Sequence, residues 1–123
     1  MNHHPDLIAA VSPLWEEHAS APFPRGLAGA DRAGFDLVMT DSDIDGCVHT
    51  WLHNGGHLDE WRYKMLHWRM SQLSVILTAL GDNDCPEYWE RLFRMGELVA
   101  STDLTPRDAA VPTAPRPAEY RPT

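Results

Sequence analysis

The sequence predicts a mainly α-helical protein, a small antiparallel bundle of three to four helices, on three observations. Apolar residues recur at helical spacing in four stretches. Strand-type alternation is nearly absent. The connections between the later stretches are short.

Leu7, Ile8, Val11, Leu14, Trp15 and His18 form the first stripe. They predict a helix from about Pro5 to about Ala19, kinked where Pro13 interrupts it. Residues 20–35 then hold two prolines and three glycines and read as a long loop, with Phe35–Met39 as a candidate strand inside its exit. Ile44, Cys47, Val48, Trp51 and Leu52 share one face of a second helix. Asp41, Ser42 and Asp43 suit its start and Asn54-Gly55-Gly56 its stop, although Leu37 is in phase and allows a start near Asp36. A third helix is expected from Glu60 to Leu80, with Asp59 as N-cap and Gly81 just past its end. A fourth starts at Pro86, a favoured first-turn residue, and ends near Ala100. Tyr88, Trp89, Leu92, Met95 and Val99 are its buried stripe. Residues 1–100 therefore form the domain. Residues 101–123 carry five prolines and no apolar stripe, and are expected to be a disordered or polyproline-like tail.

The third helix has two apolar faces. Leu66, Met70, Ile76, Leu77 and Leu80 cluster within about 60° of Leu73 around the helix, while Trp61, Trp68, Val75 and Ala79 lie on the opposite side. Either the loop or the first helix covers the tryptophan face, or that face is a surface for a partner or a second copy. Arg62 and Arg69 fall within the core stripe. Their heads either reach water along apolar stems or need buried carboxylates, and Asp41 on the second helix is the expected partner of both.

Lys and Arg total 10 against 18 Asp and Glu, a net charge of −8. That sign disfavours nucleic acid and anionic membranes as partners. No apolar run approaches the ~18 residues a membrane span needs. The first six residues lack a secretory pattern, and Cys47 and Cys85 do not make a disulfide framework, so a reducing cytoplasm is the expected location.

Asp41-Ser-Asp43-Ile-Asp45-Gly46 matches the opening of an EF-hand loop. The match fails at the twelfth position, where Leu52 replaces the bidentate Glu, and helical spacing runs through the segment. No cofactor is expected, with one exception to test: Asp45, His49 and His53, four residues apart, form a ridge of the kind that holds a divalent metal. Cys85 beside Pro86 stands at a helix start, where the dipole favours a thiolate. No phosphate loop, paired-cysteine motif or nucleophile elbow is present. The first functional expectation is an acidic helical interaction module (adaptor, regulator or inhibitor) binding a protein partner or itself through Trp61 and Trp68. The second is a small enzyme whose pocket lies between loop 20–35 and the second and third helices, lined by Asp41, Asp43, Arg62, Arg69 and His67. The third is metal binding through Asp45, His49 and His53.

Overall fold

The computed structural model describes residues 5–102. It holds four helices: α1 (Pro5–Ser20), α2 (Leu37–His53), α3 (Glu60–Thr78) and α4 (Pro86–Ala100). Their direction follows from cross-helix bonds. Residues late in α1 meet residues early in α2 and α4, as His18 does Asp41 and Tyr88. Cys47 late in α2 donates to the Arg62 carbonyl early in α3, and Tyr63 early in α3 donates to the Ala100 carbonyl at the end of α4. Sequence-adjacent helices thus run antiparallel, in the up-down arrangement that short connections favour.

Pro13 sits inside α1, which continues through it to Ser20. The expected loop is more ordered than its composition suggests. Strands β1 (Asp31–Arg32) and β2 (Phe35–Asp36) pair antiparallel, Arg32 opposite Phe35. Ala33 and Gly34 make the two-residue turn, both with positive φ (56° and 85°), as a primed hairpin turn requires. The candidate strand Phe35–Met39 therefore stops at Asp36. The Asp36 carboxylate accepts from Met39 N–H at 2.8 Å, and this N-cap turns Leu37–Met39 into helix. Asp59 caps α3 in the same way, through Arg62 N–H.

The end of α3 differs from expectation. The helix closes at Thr78, and Gly81 is extended (φ −100°, ψ 176°) rather than left-handed. The cause is Asp84. Its carboxylate accepts from Gly81 N–H at 2.8 Å and from the Arg32 guanidinium at 2.8 and 3.0 Å, and it closes a 3-10 turn over Asp82–Asp84. The Asp84 carbonyl accepts from Trp89 Nε1 at 3.0 Å. One aspartate so ties the hairpin, the α3–α4 connection and α4 together. Arg32 and Gly81 N–H hold its carboxyl below the ordinary range.

The core is one cluster. Leu37, Ile44, Val48 and Trp51 of α2 meet Leu66, Leu73 and Ile76 of α3 and Trp89, Leu92, Met95 and Val99 of α4, all fully buried, with Val11 closing it from α1. Gly96 lets α4 approach α2 and α3: a Cβ there would come within 2.5 Å of Met70 Sδ and 3.1 Å of Ile44 Cγ2. Ser101 and Thr102 continue the hydrogen bonding of the last turn of α4. Residues 103–123, read as a disordered tail, lie outside the described residues, as do His3 and His4.

Candidate functional site

The inner face of α3 is the core face the periodicity predicts. Among the described residues the outer face is left open at Trp68 and Val75. Trp68 is 56 % exposed and Val75 45 %, seven residues apart on one line of the helix, and Trp61 on the same line is half-buried. Helix α1 packs on α4 and α2, and the loop lies against α2 and the α3–α4 connection, so neither reaches over Trp68. The hydroxyls bordering this line are turned back on the helix. Ser71, Ser74 and Thr78 donate to the carbonyls of Trp68, Ser71 and Val75 at 2.7–2.8 Å. Their single protons are therefore spent locally.

No acidic residue occurs between Trp61 and Gly81, yet the strip is electrically balanced from its flanks. Lys64 pairs with Glu60 at 3.1 Å, Arg62 with Asp59 at 2.7 Å, and Arg69 with Asp43 at 2.8 Å. Arg69 also donates to Gln72 and lies over the Trp68 ring, 4.7 Å from its centroid. This clamp holds the exposed indole from beneath. Met39, one turn before Asp43 on α2, is half exposed as well.

The expected network of Asp41 with Arg62 and Arg69 is not what forms. Arg69 bonds to Asp43, Arg62 to Asp59, and Asp41 turns the other way. Its Oδ1 lies 2.8 Å from His18 Nε2 and its Oδ2 accepts from the Tyr88 hydroxyl at 2.6 Å. The reason is helical phase: two residues advance about 200° around a helix, so Asp41 and Asp43 address opposite neighbours of α2. His18 is 4 % exposed, and its ring stands 4.5 Å from that of Tyr88. Burial, reinforced by the Asp41 carboxylate, pushes the Tyr88 hydroxyl well above its ordinary range. Asp45, one turn on, is raised by burial and by Asp41 against the opposing pull of His18. Both Asp41 oxygens are committed inside this cluster, which joins α1, α2 and α4 and fixes their relative rotation. Asp41 is buried, but it faces α1 and α4 and not, as its phase suggested, the third helix; His18 and Tyr88 were not foreseen as its partners. The available signal was their place on apolar stripes, where a polar head must find a partner.

The five residues expected to line an enzyme pocket do not converge. Asp41 joins α1 and α4, Asp43 and Arg69 clamp α2 to α3, Arg62 donates to Asp59, the N-cap of its own helix, and His67 Nε2 meets the Ala100 carbonyl at 3.1 Å. A shallow groove of about 330 Å³ lies elsewhere, between Leu14 and Glu17 of α1 and Glu87, Glu90, Arg91 and Arg94 of α4. Of the proposed metal ridge, His49 stacks on Trp15 at 5.0 Å and His53 leans on His49 at 4.2 Å. Among the described residues no three His, Cys, Asp or Glu side chains gather as a metal would need. Cys47 is buried, and burial pushes its thiol up to about 12. No helix among the described residues is long and apolar enough to cross a membrane. No protein-family model matches this chain, no curated protein is similar to it in sequence, and no solved structure matches it.

Proposed function

We propose that this protein is an interaction module that docks an uncharged, apolar segment of a protein partner on the outer face of α3. The observation that carries this reading is the contrast among its tryptophans. Trp51 and Trp89 are fully buried, yet Trp68 stands 56 % exposed beside Val75, clamped from below by Arg69. A rigidly held tryptophan with nothing over it is the kind of side chain that anchors interfaces. Covering it would remove roughly 100 Å² of apolar surface from water, worth about 2–3 kcal/mol. The balanced charges along the strip favour an uncharged occupant over an acidic or basic one.

The reading is tested by placing a photo-crosslinking amino acid at Val75, and at Arg25 as an exposed control, in the cells that make the protein. A discrete adduct from position 75, absent from position 25 and lost when Trp68→Ala is added, is expected. Equal, diffuse labelling from the two positions contradicts the proposal.

A further inference from the structure

We infer that residues 103–123 of the chain itself occupy the outer face of α3 in cis and compete there with the partner. The inference rests on the reading of that face as a docking surface and names its regulation.

The first argument is position. The Ala100 carbonyl, two residues before the described chain ends, accepts from Tyr63 Oη at 3.3 Å and lies 3.1 Å from His67 Nε2. The segment therefore departs from a point held against α3, beside the residue that precedes Trp68. From His67 to Trp68 is about 100° around the helix.

The second is reach. α3 has 19 residues and so spans roughly 28 Å. The following 21 residues give a reach of up to about 65 Å at the rise of a polyproline strand, more than the length of the face.

The third is chemistry. The segment carries Pro106, Pro112, Pro115, Pro117 and Pro122, and one aromatic, Tyr120. Proline-rich strands dock on exposed aromatic faces because their backbone is already stiff and loses little freedom on binding. Charge agrees as well. Asp103, Asp108 and Glu119 balance Arg107, Arg116 and Arg121, so the segment is neutral in a chain of net charge −8. The α3 face is likewise balanced by its own ion pairs, so neither side brings an unpaired net charge to the contact. Tethering supplies an effective concentration on the order of millimolar, so a weak contact suffices.

The test uses the full chain. The indole N–H resonance of Trp68 is assigned with Trp68→Phe and followed by NMR in a variant combining Pro112→Ala, Pro115→Ala and Pro117→Ala. The Trp68 resonance is expected to move while those of the buried Trp51 and Trp89 stay. A synthetic peptide of residues 103–123, titrated into that variant, is expected to move it back with a midpoint near millimolar. Crosslinking to the partner from position 75 should rise several-fold in the same variant. An unmoved Trp68 resonance overturns the inference. So does a Trp68 shift that varies with protein concentration, which would assign the face to a second copy. A partner adduct at position 75 together with an unmoved resonance removes the cis contact and leaves the docking reading intact. A moved resonance with no partner adduct removes the docking reading and leaves the cis contact.

Discussion

At the junction of α1, α2 and α4 a carboxylate is buried and both its oxygens are bonded. On the outer face of α3 an indole stays in water although the same chain buries two others completely. The first region shows how the bundle handles polarity it cannot avoid: Asp41 takes His18 Nε2 and the Tyr88 hydroxyl across three helices, and of this cluster His18 Nδ1 alone is buried with no hydrogen-bond partner among the described residues. The second shows apolar surface the bundle leaves uncovered, at Trp68 and Val75. A buried polar group without partners costs stability, so evolution of the fold alone explains the first region. Exposed aromatic surface held in place by Arg69 adds little to the fold, and this difference is the ground on which contact with another molecule is proposed for the second region.

The comparison breaks most sharply at Asp41. Asp41→Ala leaves His18 and Tyr88 enclosed without their acceptor, and should cost about 3–5 kcal/mol in urea unfolding. Tyr88→Phe removes one bond of the three-residue cluster and should cost about 1–3 kcal/mol. If both are near neutral, the junction is not the lock described.

Two carboxylates sharpen the picture through pH, with opposite signs. Arg32 and Gly81 N–H lower the Asp84 carboxyl in the folded chain. Its stabilising contribution is present above the ordinary carboxylate range and is lost as pH falls through the lowered folded value. Asp84→Asn should therefore reduce Tm at neutral pH, and the gap from wild type should close in acid. Asp45 is raised by burial first and by Asp41 next. The folded state then holds the proton more tightly, so wild-type stability falls as pH rises from the ordinary carboxylate value through the raised one. Asp45→Asn should show a small Tm gain at neutral pH that vanishes in acid. A loss there at neutral pH would mean that the Asp45 charge supports His18 more than its burial penalises it.

Much of the architecture was legible because its signals are local. Asp59 before a helical stripe, Pro86 at a first turn and the Asn54-Gly55-Gly56 stop act on their own neighbours within a few residues, and each element starts or ends where they stand. The partners of Asp41 were not legible for a different reason. A phase angle says that a side chain turns inward, but α2 has inward neighbours on two sides, and His18 and Tyr88 lie 23 and 47 residues away. The same holds for Asp84, whose bond to Arg32 spans 52 residues and fixes the carboxylate that in turn takes Gly81 N–H and holds Gly81 extended. The outer stripe of α3 was visible as a stripe. Whether the loop, the first helix or nothing covered it depended on where those elements pack, which periodicity does not carry.

The smallest expected effect on stability is also the most informative. Trp68→Ala should change the unfolding free energy measured in urea by less than about 0.5 kcal/mol, as an exposed substitution does, while abolishing the position-75 adduct. Unfolding and crosslinking measured side by side on this one variant test whether the face of α3 exists for binding. A loss of several kcal/mol, or an adduct that survives unchanged, would contradict that assignment.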